Sequence, residues 1–170
     1  MMTWIYLVMF LYVVGALVLY RYQSRLVLRP DKLSASYQFS FPVPFKEYNV
    51  PLTDTDKLNM VWLHADSARG MVLYFHGNTG NIVQAYQHAA PLLKNRYDVL
   101  LVDYPGFGKS TGADAEMDLY QDAVVSYQMA RTRFHADSIV IYGKSLGTAM
   151  ASYVAAHEPC RDLILECPFY

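Results

Sequence analysis

Cysteine is scarce in this sequence, and positive charge is not in excess. Two cysteines occur among the 170 residues, Cys160 and Cys167, and neither has a histidine partner at zinc-ligand spacing. We therefore expect buried structural thiols and no disulfide scaffold. The low number of cysteines mildly favours a reducing compartment. The net charge of -1 leaves no basic surplus to neutralise phosphates, which argues against nucleic acid as the main partner.

Charged residues are also missing from the first twenty positions, Met1 to Tyr20. At about 1.5 Å per residue, a helix of this length spans the roughly 30 Å hydrocarbon core of a bilayer. A cleaved signal peptide would start with a basic residue and end a shorter apolar run at small residues. No lysine or arginine comes first here, and the run continues through Leu17 and Leu19. We predict an uncleaved transmembrane anchor over residues 1–20.

Basic residues follow this anchor directly, at Arg21, Arg25, Arg29 and Lys32. Because Lys and Arg beside a span favour the cytoplasmic side, we expect an outside N-terminus and a cytoplasmic main domain. Residues 30–44 contain three prolines and three serines without a sustained period, which indicates a linker or an extended arm. The predicted basic juxtamembrane segment and linker therefore covers residues 21–44.

Strand and helix patterns alternate in the rest of the chain, residues 45–170. Strands are predicted at Phe45–Pro51, at Leu58–His64, in MVLYFHG and DVLLVDYPG, and in SIVIYG and DLILECPF. Helical spacing separates the later strands, and this order predicts an α/β domain with a mostly parallel sheet and helices on both faces. The helix that starts at Glu116 is expected to present one apolar side, formed by Met117, Tyr120, Val124, Tyr127 and Phe134.

The tripeptide Gly-Lys-Ser occurs twice, at residues 108–110 and 143–145. A phosphate-binding loop of the form GxxxxGK[ST] needs another glycine five residues before the glycine of this tripeptide. That position holds Asp103 for the first copy and Ser138 for the second. Neither copy fits a phosphate loop, which argues against a kinase or a nucleotidase.

The second copy belongs to a G-x-S-x-G pattern, Gly143 to Gly147, between a predicted strand and a predicted helix. This is the context of a nucleophile elbow, in which a serine on a strained turn exposes its hydroxyl above the sheet. Larger side chains two positions away would collide there, so both positions are glycine. We predict Ser145 as the nucleophile and the backbone N–H of Leu146 as one donor to the oxyanion.

The other oxyanion donor is expected in the loop after the third strand of the sheet. This loop reads HGNTGN, His76 to Asn81, which makes the backbone N–H of Asn78 the candidate. In triads built on such an elbow, the histidine follows the nucleophile in the chain. His76 is therefore expected to shape the loop and not to act in catalysis.

Three motifs at consistent spacing, FHGNTGN, DYPGFGKSTG and YGKSLGTAMA, resemble the alpha/beta-hydrolase superfamily. The resemblance covers about residues 45–170 and is greatest to the membrane-anchored branch described as serine aminopeptidase-like or acylglycerol-lipase-like. It implies that DYPGFG is the loop after the fourth strand, near the mouth of the active site. Lys109 and Ser110 would then be surface loop residues with no phosphate to bind.

The residues after Ser145 offer no base and acid for the serine. The family's order is serine, then Asp or Glu, then His, but the titratable candidates that follow are few: His157, Glu158, Asp162 and Glu166. His157 would lie at the far end of the next helix, roughly 17 Å from the hydroxyl, where it suits a helix C-terminus. The acid and the histidine of the triad are thus expected to be absent from this chain.

The sequence also ends at about the sixth of the family's eight strands. A fragment of a longer gene, a truncated product and a non-catalytic half-domain are three open explanations. The first two are favoured, because DLILECPF would otherwise be a bare apolar edge strand, which invites aggregation.

We therefore expect the intact protein to be a membrane-anchored serine hydrolase that cleaves a carboxylic ester, thioester or amide. The bilayer anchor favours a lipid or acylated substrate; no metal or organic cofactor is implied, and the oligomeric state is open. The 170-residue chain itself is expected to be inactive, since loss of the histidine alone cost about a millionfold in kcat in a characterised serine protease. The alternative is a non-catalytic, hydrolase-like membrane protein that acts through interactions.

Overall fold

The computed structural model describes residues 2–168 and all of their side chains except those of residues 2 and 23–27. Met1, Phe169 and Tyr170, which the predicted anchor and hydrolase domain include, lie outside the described residues, as does the side chain of Arg25. The domain boundaries 1–20, 21–44 and 45–170 stay predictions.

The described chain begins with a long helix, α1, at Met2–Val27, and then alternates strands with helices. The strands are β1 Phe45–Pro51, β2 Lys57–Leu63, β3 Gly70–Phe75, β4 Tyr97–Val102, β5 Ile139–Lys144 and β6 Asp162–Glu166. The later helices are α2 Ile82–Leu93, α3 Glu116–Arg131 and α4 Gly147–His157. The predicted elements are present, with shifts of one or two residues at most of their ends.

These strands form a six-stranded sheet in the order β1-β2-β4-β3-β5-β6. β2 is antiparallel to both of its neighbours, whereas β4, β3, β5 and β6 run parallel to one another. Parallel strands end at the same side of a sheet, so the loops after β3, β4, β5 and β6 meet at one edge, called here the carboxyl edge. The mostly parallel α/β sheet that the sequence predicts is confirmed.

The sheet is covered on both faces, which explains why β3 is apolar throughout and β4 is apolar from Val99 to Val102. On one face Leu73 and Leu100 pack with buried side chains of α3 and α4, such as Tyr127 and Met150. On the other face the neighbouring residues of the same strands pack against α2. Each fully buried apolar side chain of this size contributes about 1.5–3 kcal/mol relative to exposure.

The buried side of helix α3 agrees with the predicted one only in part, since Tyr127 is buried and Tyr120 and Val124 pack against the same core. The side that faces the sheet consists of Leu119, Asp122, Ala123, Ser126, Tyr127 and Ala130. Met117 is 57% exposed, and Phe134 lies beyond the end of the helix. The prediction for these two residues is wrong, because the buried side contains an aspartate and a serine and therefore carries no clear apolar period.

The prediction of buried thiols is also wrong for one cysteine. Cys160 is partly buried, whereas Cys167 is exposed just after β6. Both are free thiols. Within β6 itself Leu163, Ile164 and Leu165 are about two-fifths exposed.

Helix α1 is long and apolar enough to cross a membrane. Its apolar window, Thr3–Tyr22, has a mean hydropathy of 2.1, and none of it is buried against the rest of the chain. Length and composition alone make it a candidate span. The segment after α1 is not a free linker, because Phe39 is buried against one face of the sheet and Phe41 and Val43 pack there too.

The buried carboxyl group of Asp122 predicts an inverse dependence of stability on pH. Burial, with a smaller contribution from the charge of Asp118, raises the pKa of Asp122 from 3.8 to about 6. Between these two values the folded protein holds a proton that the unfolded chain has released. The contribution of this group to stability is thus fully present below pH 3.8 and is lost as the pH rises through 6.

We expect Asp122→Asn to stabilise the fold more at pH 7 than near pH 4, measured as the difference in unfolding midpoint from wild type in detergent solution. The exposed Asp137→Asn is the matched control, for which this difference should be small at either pH. A stability gain from Asp122→Asn that is the same at both pH values would contradict the raised pKa.

Candidate active site

Ser145 lies on the turn that joins β5 to α4, at the carboxyl edge. Its φ is +50°, a left-handed conformation that residues other than glycine rarely adopt. A Cβ on Gly143 would overlap the carbonyl oxygen of Gly147, and a Cβ on Gly147 would overlap that of Phe75. Both flanking glycines are therefore required by close backbone packing, and this is the geometry that a nucleophile elbow needs.

Backbone hydrogen bonds hold this turn from two sides. The N–H of Ser145 donates to the carbonyl oxygen of Glu166 at 2.8 Å, which attaches the turn to the end of β6. The carbonyl oxygen of Ser145 accepts from Thr148 twice, from the backbone N–H at 2.9 Å and from Oγ1 at 2.6 Å. The strained residue is thus fixed by β6 and by the first turn of α4, while its side chain stays partly exposed.

Glu166 adds side-chain contacts to this support. Lys144 Nζ lies 2.9 Å from Oε1 of Glu166, and the hydroxyl of Tyr142 donates to Oε2 at 2.7 Å. The bond from Lys144, followed by the one from Tyr142, lowers the pKa of Glu166. This carboxylate is ionised and already bonded on both oxygens, so it is not available as the acid of a triad.

The loop after β3, residues 76–81, reaches the serine because β3 and β5 are neighbours in the sheet. A Cβ on Gly77 would lie 3.6 Å from Cβ of Ser145. Asn78 follows directly, and its carbonyl oxygen accepts from the backbone N–H of Arg29 at 2.9 Å. Leu146 stands at the start of α4, where backbone N–H groups have no acceptor within the helix. The oxyanion roles of Asn78 and Leu146 stay predictions.

His76 is buried at the start of this loop and helps to shape it. Its Nδ1 lies 2.7 Å from the carbonyl oxygen of Gly77, and its Nε2 lies 3.4 Å from Oδ1 of Asp103. The ring packs against Tyr104, with centroids 4.5 Å apart, and the hydroxyl of Tyr104 donates to the His76 carbonyl oxygen at 2.7 Å. These contacts agree with the structural role expected for His76.

Asp103 is the buried carboxylate beneath this loop, and sequence reasoning gave it no role. Its Oδ1 accepts from the backbone N–H of Ile82, the first residue of α2, at 2.8 Å. Burial raises the pKa of Asp103, and the contact with His76 opposes that shift. Gly108 passes so close that a Cβ there would overlap the carboxyl group. The sequence did contain one indication of a role for Asp103, because this aspartate directly follows the apolar run of β4.

The first Gly-Lys-Ser copy is buried, so the prediction of surface loop residues is wrong. Lys109 is 7% exposed and its Nζ lies 2.8 Å from Oε1 of Glu47 in β1. Ser110 is 5% exposed; its hydroxyl donates to the carbonyl oxygen of Asp103 at 2.6 Å and accepts from the N–H of Asn59 at 2.8 Å. Both side chains join the loop after β4 to the antiparallel strands.

His157 is the last residue of α4, as expected, and its Nδ1 lies 2.7 Å from the carbonyl oxygen of Tyr153. Across residues 2–168, no three His, Cys, Asp or Glu side chains are grouped so that they could hold a metal ion.

Beside the serine turn there is a mostly apolar cavity of about 230 Å³. It is lined by Asp114, Glu116, Leu119, Tyr120, Leu146, Ala149 and Met150.

A family model described as the alpha/beta hydrolase fold matches residues 70–169. The chain belongs to the alpha/beta-hydrolase family. The residues that the family model matches include the loop after β3, the serine turn and β6, which together form the candidate site.

Curated relatives and solved structures support this assignment. Protein bem46 of Schizosaccharomyces pombe is 33% identical over 89% of this chain and 55% of its own length. Alpha/beta hydrolase domain-containing protein 17C of Mus musculus is 32% identical over 61% of this chain and 33% of its own. The chain thus spans about half or less of the length of these relatives.

Two solved structures share the fold at lower identity. A carboxyl esterase from Bacillus coagulans superposes with a TM-score of 0.61 at 21% identity, over 71% of this chain and 43% of that one. An esterase from Pyrococcus furiosus superposes with a TM-score of 0.63 at 19% identity, over 84% of this chain and 56% of that one.

The packing around the serine turn predicts that replacement by alanine is tolerated at Gly77 but not at Gly147. In Gly147→Ala the new Cβ would overlap the carbonyl oxygen of Phe75 and lie 2.8 Å from that of His76. We expect the turn to be displaced and the fold destabilised by about 1–3 kcal/mol or more. In Gly77→Ala the new Cβ meets Cβ of Ser145 at 3.6 Å, an ordinary contact, so we expect near-wild-type stability.

Thermal unfolding of the wild type and the two variants, followed by circular dichroism in the same detergent, measures the change in stability that each substitution causes. Gly77→Ala serves as the matched control, since it adds the same methyl group on the other side of the site. Equal unfolding temperatures for the two variants would contradict the close packing described for Gly147.

Proposed function

We propose that the intact protein is a membrane-anchored serine hydrolase that cleaves a carboxylic ester, a thioester or an amide, with Ser145 as the nucleophile. The observation that carries this proposal is the strained backbone of Ser145 at the carboxyl edge, directly beside Gly77 in the loop after β3. Few structural reasons exist for keeping a serine at φ +50° between two obligatory glycines other than to expose its hydroxyl.

In the proposed reaction a general base takes the proton of the Ser145 hydroxyl while its oxygen attacks the carbonyl carbon of the substrate. The backbone N–H groups of Leu146 and Asn78 then donate to the oxyanion of the tetrahedral intermediate. Collapse expels the alcohol, thiol or amine, which receives the proton from the base. Water hydrolyses the resulting acyl-enzyme by the same steps and releases the acid.

The base and the acid that orients it are proposed to come from outside these 170 residues. Glu166 is bonded to Lys144 and Tyr142, and His157 lies at the opposite end of α4. Both curated relatives are much longer than the part that this chain matches. We therefore expect the 170-residue chain alone to show no measurable turnover.

An acyl group is the substrate feature that the surroundings favour. The cavity beside Leu146 is lined mainly by apolar side chains, including Leu119 and Met150. The exposed apolar helix α1 would keep the enzyme at a bilayer, where lipids and acylated proteins reside. The two solved structures that share the fold are named as esterases, which supports ester cleavage among the possible reactions.

The nucleophile assignment predicts covalent labelling of Ser145 in a complete hydrolase. In a chimera, residues 45–168 of this chain replace the matched part of the bem46 protein, so that the remaining half of the fold is supplied. We expect a fluorophosphonate probe to label this chimera, and Ser145→Ala to abolish the labelling.

Ser152→Ala is the matched control, because Ser152 is an exposed serine on the adjacent helix α4. It should leave the labelling unchanged. Labelling that survives Ser145→Ala would refute the assignment. A folded chimera that is not labelled at all would favour the non-catalytic alternative.

We also propose that α1 anchors the protein with its hydrolase domain in the cytoplasm. The support is the cluster of basic residues from Arg21 to Lys32, at and just after the end of the apolar window, and the absence of any before it in the sequence. A phosphatase that is active only outside the cytoplasm and a fluorescent protein that matures only inside are fused separately after Ser40. We expect an inactive phosphatase and a bright fluorescent fusion; the opposite pair of results would reverse the orientation.

A further inference from the structure

The segment directly after α1 is bonded to both loops that flank the candidate site. This juxtamembrane strap is defined here as Arg29–Leu33. Arg29 and Pro30 pair in parallel with Thr79 and Gly80, and the N–H of Asp31 donates to the carbonyl oxygen of Gly80 at 3.1 Å. The strap therefore lies along the loop that carries Asn78.

The strap also contacts the loop after β4. The carbonyl oxygen of Asp31 accepts from the backbone N–H of Gly108 at 3.0 Å and from Nδ2 of Asn81 at 3.1 Å. The N–H of Leu33 donates to the carbonyl oxygen of Gly108 at 2.8 Å. Five consecutive residues thus connect the two loops at the carboxyl edge.

Helix α1 leaves the domain at this edge without packing on it. All described side chains of its apolar window are exposed, and the helix ends at Val27, two residues before the strap. From Tyr22, the end of the window, to Arg29 there are five helical steps of about 1.5 Å and two extended steps of about 3.3 Å, or roughly 14 Å at most.

This length is short compared with the dimensions of a bilayer. The polar headgroup region on each side of the hydrocarbon core is about 5–8 Å thick. If the apolar window spans the core, the strap lies within several ångströms of the outer limit of the headgroups. Arg21, Arg29 and Lys32 are exposed there and can contact lipid phosphates.

We propose that the carboxyl edge of the sheet faces the bilayer that α1 crosses and docks at its phospholipid headgroups, so that the Ser145 site takes its acyl substrate from the membrane. The substrate part of this inference rests on the proposed function; the docking part does not. In this orientation the loops before β3, β5 and β6 are at the opposite edge and point away from the lipid.

The chain offers a natural probe at the docked edge. Cys167 is exposed directly after β6, and Cys160→Ser leaves it as the single cysteine. The far-edge control is Asp137→Cys in a Cys160→Ser/Cys167→Ser background, since Asp137 is exposed just before β5. Each thiol is labelled with an environment-sensitive fluorophore, and the full chain is reconstituted into phosphatidylcholine nanodiscs that contain nitroxide headgroup lipids.

We expect the nitroxide lipids to quench the fluorophore at Cys167 strongly and the one at position 137 hardly at all. Equal quenching of the two probes, stronger quenching at position 137, or no quenching of either would each overturn the docking. The quenching measurement is repeated in Ser145→Ala, since it needs no catalysis. Docking can therefore fail while the nucleophile assignment holds, and the nucleophile assignment can fail while docking holds.

A second variant tests the strap itself. Ten Gly and Ser residues inserted between Val27 and Leu28 add a flexible tether of about 18 Å root-mean-square length and leave the strap residues unchanged. We expect quenching at Cys167 to be lost in this variant. Quenching that persists would overturn the role given to the short connection between α1 and the strap.

Discussion

Ser145 holds a backbone conformation that costs on the order of 1–3 kcal/mol unless the surroundings enforce it. Here they do so through three neighbours. The backbone of β3 touches Gly147, the end of β6 bonds the Ser145 N–H, and Thr148 bonds its carbonyl oxygen. The first two of these contacts require the strand order in which β5 lies between β3 and β6. The candidate site therefore depends on the sheet being assembled as a whole, and the strained turn could not persist as a local feature.

Two carboxyl groups near this turn have pKa values that are shifted in opposite directions. Glu166 is partly exposed to solvent and bonded to Lys144 and Tyr142, and these bonds lower its pKa. Asp103 is fully buried, and burial raises its pKa although His76 lies close to it. The first keeps β5 and β6 in register by an ion pair at the surface. The second joins the loops after β3 and β4 from below, where the amide of Ile82 and the ring of His76 are its partners.

The sequence predicts this architecture well where the signal is local. Apolar runs mark β3, β4 and β5, and the glycine spacing around Ser145 indicates the turn between a strand and a helix. Prediction fails where a side chain meets a partner far away in the chain. Lys109 and Ser110 are buried and bonded to Glu47 and Asn59, which come from the distant antiparallel strands. Likewise, the buried side of α3 contains Asp122, so hydrophobic periodicity could not identify it.

The strap has a consequence for how such proteins diverge. Nearly all of its contacts with the loops after β3 and β4 are made by main-chain groups, and any residue other than proline supplies an N–H as well as a carbonyl oxygen. Selection on this connection should then act on length and not on residue identity. Between Arg29 and Leu33, substitutions leave this main-chain pairing intact, whereas a single inserted or deleted residue would shift the pairing register and displace the loop that carries Asn78.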